Sequence, residues 1–83
     1  MSWNYRVIKD SKGEGEDYQE WYQIFEVYYT KGGKIKMWSV DPIAPCGSTL
    51  NELLDDLNMM LKDAWHKPVL ERTKSGKSLR EVK

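Results

Sequence analysis

A thiol and an imidazole form the one pairing in this chain with the makings of nucleophilic chemistry: Cys46 as nucleophile and His66 as base. Attack requires a thiolate, and Cys46 sits in a Pro45-Cys46-Gly47 loop with no cation close in sequence to lower its pKa. It reads as a loop cysteine without a catalytic role. His66 is the only histidine and has no cysteine or second histidine near it. A zinc site needs three or four such ligands, so His66 reads instead as a helix C-terminal residue meeting the last carbonyls. Asp55 and Asp56 are adjacent on a helix and diverge by about 100° about its axis, so they cannot face one cation together. With Glu52 they read as a solvated acidic face. The glycine-rich stretch Lys12 to Asp17 is acidic and would repel phosphate. Ser75-Gly76-Lys77-Ser78 ends like a phosphate-binding loop but lacks the first glycine and the following helix. No nucleophile, base and orienter converge. The expectation is a non-enzymatic chain with no cofactor, no metal and no small-molecule ligand.

Elements must hold whatever these residues do, and 83 residues allow one small domain. No run of apolar residues exceeds three, whereas a membrane-spanning helix needs about 20. The start of the chain has no apolar signal-peptide core. One cysteine makes no internal disulfide, and a cytoplasmic location is the default reading. Ten aromatic residues argue against disorder over most of the length.

The net charge of zero hides a division. Residues 1–44 carry six basic and seven acidic side chains, residues 45–66 one and four, and residues 67–83 six and two, which gives −1, −3 and +4. Neutrality argues against nucleic-acid binding over the whole surface, because such binding rests on clustered cations. A basic tail stays available for a local contact through Arg72, Lys74, Lys77, Arg80 and Lys83.

Trp3 to Lys9 reads as a first strand followed by a polar loop, and Tyr18 to Thr30 as a second, long strand. Lys31-Gly32-Gly33-Lys34 offers two residues that tolerate positive φ for a hairpin. Ile35 to Val40 is the third strand, stopped by Asp41-Pro42. Thr49-Leu50-Asn51-Glu52 fits a capping box. Leu50, Leu53, Leu54, Leu57, Leu61 and Ala64 then recur at helical spacing until Lys67-Pro68. Val69-Leu70 supplies a short edge strand or an apolar clip. The fold class is therefore α+β: a three-stranded antiparallel meander with one amphipathic helix on one face, order β-β-β-α. Residues 1–70 form the domain and residues 71–83 a basic, flexible tail.

Alternation along the second strand puts Tyr18, Glu20, Tyr22, Ile24, Glu26 and Tyr28 on one side and Gln19, Trp21, Gln23, Phe25, Val27 and Tyr29 on the other. Neither side is polar, and one helix covers only one face. Two readings of the remaining face stand side by side. A bulge, the C-terminal residues or ordinary surface tyrosines account for it, or it is a protein-binding or dimer surface carried by Trp21, Tyr22, Glu26 and Tyr28. Glu26, a charge amid aromatic residues, marks either a protected edge or a partner contact.

The β-β-β-α order, with Pro45-Cys46-Gly47-Ser48-Thr49-Leu50-Asn51-Glu52-Leu53 leading into the helix, resembles the HicB-like antitoxin domain, a degraded RNase H-like fold. Trp3 to Ile8, Glu26 to Tyr29, Asp41-Pro42 and Lys67 to Leu70 are also similar to a set of short bacterial proteins. The resemblance implies a bacterial or phage-encoded domain that neutralises or regulates a partner protein. It carries over neither operator binding, since too few residues follow Leu70 for a DNA-binding domain, nor catalysis, since Trp3 to Ile8 holds no acid. The function expected is a protein-interaction module binding another protein or a second copy of itself; the alternative is nucleic-acid contact through the tail.

Overall fold

A computed structural model describes residues 2–82. The order is β1 (Ser2–Lys12), a single 3-10 turn (Gly15–Asp17), β2 (Gln19–Tyr29), β3 (Ile35–Trp38), α1 (Leu50–His66), β4 (Leu70–Arg72) and β5 (Leu79–Glu81). The fold is α+β, as expected, but the sheet has five strands, arranged β3-β2-β1-β4-β5. The meander β1-β2-β3 is antiparallel throughout. The chain then crosses over through α1, so β4 enters parallel to β1, pairing Ile8 with Leu70, and β5 turns back antiparallel on β4.

Residues after Leu70 are therefore not a separate tail. They complete the sheet, and the boundary expected at residue 70 falls at the first residue of β4. Polar composition concealed this, because Thr73 to Ser78 is a turn, closed by the Thr73 N–H donating to the Ser78 carbonyl at 3.0 Å. The third strand also stops two residues short of Val40, where loop geometry takes over. In the hairpin before it only Gly33 adopts positive φ, at 84°, so one glycine of the pair meets the conformational need. A register shift between Tyr28 and Tyr29 bends β2 at its end.

Paired residues share a face, so the register assigns the core. Ile8, Phe25, Val27 and Leu70 lie on one face and are fully buried. Ile35 and Trp38 of β3 pack on them from one edge and Leu79 of β5 from the other. The sheet thus curls over its own face, and no helix is needed there. Part of the cover on this face comes from the C-terminal residues, through Leu79 of β5.

The helix takes the opposite face, lying over β1, with Leu57, Met60 and Ala64 lining a groove that Ile24 of β2 also lines. Met60 is its one fully buried residue. Thr49 caps the helix, its hydroxyl accepting from the Glu52 N–H at 3.1 Å. The Glu52 carboxylate reaches back to the Ser48 N–H at 3.2 Å, one residue beyond the reciprocal partner of a standard capping box. Gly47 must stay bare, because a Cβ there would run into the backbone of Glu52 and Leu53.

Candidate functional site

Asp56, which the sequence places on a solvated acidic face, instead holds α1 to the sheet, and Asp63 joins it. Asp56 Oδ1 accepts from the Tyr5 hydroxyl at 2.6 Å, and Asp56 Oδ2 from the Cys46 N–H at 3.0 Å. Seven residues on, two turns along the helix, Asp63 Oδ2 accepts from the Tyr5 backbone N–H at 3.0 Å. β4 covers β1 only at Ile8 and Lys9, so the free edge near Tyr5 offers an amide that Asp63 satisfies. The pairing with β1 is invisible to periodicity, because the two Tyr5 donors lie over 50 residues away. Tyr5 is raised above the ordinary phenol range, by burial first and then by its bond to Asp56. Asp56 is held below the ordinary carboxylate range by the same bond and by the Cys46 amide. Both act in anchoring, and neither faces an open site.

The expected binding residues do not form one surface. Trp21 lies on the curled face and Tyr22, Glu26 and Tyr28 on the helix face, as the alternation required. Trp21 and Tyr22 are exposed, whereas Glu26 and Tyr28 are half-buried. The Tyr28 hydroxyl donates to Glu26 Oε1 at 2.8 Å, and that bond raises the phenol's pKa. Glu26 guards no edge, because β2 lies between β1 and β3. Only Tyr22 borders a substantial concavity.

The basic residues divide as well. Arg72 Nε lies 2.8 Å from Asp10 Oδ1, with its guanidinium carbon 5.4 Å from the Phe25 ring centre. Arg80 Nε lies 3.0 Å from Glu71 Oε1. Two of the five expected phosphate contacts are thus neutralised within the sheet. Lys74 and Lys77 project from the turn, and Lys83 is outside the described residues. Cys46 is exposed, and His66 Nδ1 lies 2.9 Å from the Lys62 carbonyl, the helix-end contact expected of it.

Sequence reading overlooked the outward side of α1. Leu50, Leu54, Leu57, Leu61 and Trp65 are all exposed, with Leu50 at 69%, Leu61 at 65% and Trp65 at 82%. Beside this stripe runs an open groove of about 560 Å³, floored by Ile24 and Met60 and rimmed by Tyr22, Pro42 and Leu57. A second hollow of about 460 Å³ lies on the other flank among Asn58, Lys62 and Trp65. Leu61 borders both. The signal was available, since the leucines run at spacings of four, three and four. It was absorbed into the expectation of a core, because an apolar helical stripe ordinarily faces its own sheet.

Among the described residues no group of three or more metal-ligating side chains comes together, and no helix is long and apolar enough to cross a membrane. Comparison with family models, curated proteins and solved structures gives no significant match.

Proposed function

We propose that this chain is a non-enzymatic protein-interaction module whose docking surface is the outward stripe of α1 together with the groove beside it. The observation that carries the reading is the exposure of Leu50, Leu54, Leu57, Leu61 and Trp65 along one side of a capped, well-anchored helix. Contiguous apolar patches of this kind mark association sites, and aromatic side chains such as Trp65 are favoured anchors. The Asp56 and Asp63 bonds fix the helix to the sheet, so the stripe is presented rigidly and little ordering cost falls on binding. Its chemistry is apolar with a sparse polar rim, which suits another protein rather than a phosphate backbone. The β-β-β-α order supports kinship with HicB-like domains and, with it, a role in neutralising or regulating a partner. A free, exposed Cys46 suits the reducing cytoplasm, which is part of the same proposal.

The test is affinity capture from host lysate with the native chain and with Leu61→Glu, a change at an exposed position that leaves the core intact. The native chain is expected to retain a stoichiometric protein that Leu61→Glu loses. Capture of the same stoichiometric protein by both, or none by either from a native chain that is monomeric in solution, would refute the surface.

A further inference from the structure

We infer that the occupant of this surface is a second copy of the chain, bound through antiparallel pairing of α1 with its twin about a twofold axis near Leu57 and Asn58. The inference rests on the docking reading above and names its partner.

The first ground is the symmetry of the stripe. Leu50 and Trp65 are equally distant from the midpoint between residues 57 and 58, and so are Leu54 and Leu61. At 3.6 residues per turn the five apolar positions fall within an arc of about 80°. An isologous interface requires a patch that matches itself when turned end for end, and this spacing provides one. Leu54 meets the partner's Leu61, Leu50 meets the partner's Trp65, and Leu57 packs across the axis.

The second ground is charge. Along the solvent side of the stripe Asp55 stands in the first half of the helix and Lys62 in the second. Antiparallel pairing puts Asp55 and the partner's Lys62, opposite in charge, on the same flank of the seam, twice by symmetry. Parallel pairing would set like against like, which is unfavourable, and would align the two helix dipoles instead of opposing them. Asn58 is exposed and falls on the axis. A polar residue at one central position of a helical seam fixes register, and here the two amides can bond each other.

The third ground is area. Five exposed side chains, one a tryptophan, leave on the order of 500 Å² of apolar surface per copy. With the groove rim this approaches the roughly 800 Å² per partner of a standard stable interface.

The decisive experiment is sedimentation velocity across a hundredfold concentration range, with circular dichroism as the folding control. The native chain should sediment as a dimer. Leu54→Glu and Leu61→Glu should each be folded monomers, since both side chains are exposed within one chain. Lys62→Asp should weaken the dimer at least tenfold, and Asp55→Lys added to it should restore most of the loss. In a Cys46→Ser background, Asn58→Cys should form a disulfide-linked dimer on mild oxidation, whereas Lys34→Cys on the hairpin should not. A native chain that is monomeric throughout overturns the second copy. If lysate capture is still lost with Leu61→Glu, the docking reading survives that result. A dimer unmoved by both Leu54→Glu and Leu61→Glu overturns self-pairing at this helix and, where capture is unmoved too, the docking surface with it.

Discussion

Tyr5 and Asp56 are joined by a 2.6 Å hydrogen bond that ties the centre of α1 to the first strand across 51 residues of sequence. The phenol donates and the carboxylate accepts, so one partner of the bond is charged and the other neutral. Removing the donor with Tyr5→Phe keeps the ring against the Trp3 edge, 5.1 Å between centroids, and deletes only the bond. Tyr5→Phe is expected to lower unfolding stability by about 1 kcal/mol in urea titration. Asp56→Asn should lower the thermal midpoint as well, because an NH2 takes the place of one of the two oxygens, Oδ1 accepting from Tyr5 or Oδ2 accepting from Cys46.

The same pair sets a pH window. Asp56 titrates lower in the folded chain than in the unfolded one, because of the Tyr5 bond first and the Cys46 amide second. Its contribution is complete above the unfolded carboxylate range, near pH 4, and fades as pH falls through the lowered folded value. Tyr5 is shifted up, so its contribution is complete below the unfolded phenol value, near pH 10, and is lost as pH rises through the higher folded value. The thermal midpoint difference between the native chain and Asp56→Asn should hold level at neutral pH and shrink below about pH 4. A difference that grows on acidification would refute the assignment.

Much of the fold was legible because it follows from local chemistry. The cap at Thr49, the hairpin glycines and the β-rich runs each act within a few residues, so they announce themselves in sequence. What escaped depends on distant pairing. The strands at Leu70–Arg72 and Leu79–Glu81 are three residues each, too short for alternation to register, and exist because β1 supplies a parallel edge. Asp56 reads as solvated in the sequence because its donors come from β1 and the loop before the helix. The apolar stripe of α1 was visible as a pattern, but its destination was not. The sheet finds its core by curling, and that leaves part of the helix without a role inside one chain.

That curl makes the C-terminal hairpin a folding requirement. Leu70 is fully buried and belongs to the same cluster as Ile8, Phe25 and Val27. Leu70→Ala should cost about 2–5 kcal/mol, the range for truncating a buried leucine. A chain ending at Pro68 should lose its cooperative unfolding transition altogether, because β4, β5 and the Arg72 cover over Phe25 go together. Calorimetry distinguishes the outcomes. A truncated chain that still melts cooperatively near the native midpoint would refute this requirement and return residues 71–83 to a basic, flexible tail.

Arg6 provides a test with a less intuitive sign. It is 7% exposed on the curled face, and its Nη1 and Nη2 donate at 2.9 Å to the Tyr29 hydroxyl and the Pro68 carbonyl. Nε is buried with no partner, and among the described residues no carboxylate lies within ion-pair distance of the guanidinium. A buried charge without a counter-charge pays desolvation that two neutral acceptors only partly offset. Arg6→Met, of similar length and apolar, should therefore change stability by less than about 1 kcal/mol or raise it. Tyr29→Phe should do the opposite. It strips the acceptor from Nη1 and the donor from the Asn4 side chain, bonded at 2.7 Å, leaving buried groups unmatched at a cost of about 1–3 kcal/mol. Urea unfolding of the two variants measures both. A larger loss from Arg6→Met than from Tyr29→Phe would mean that the arginine contributes net stability to the sheet despite its missing partner.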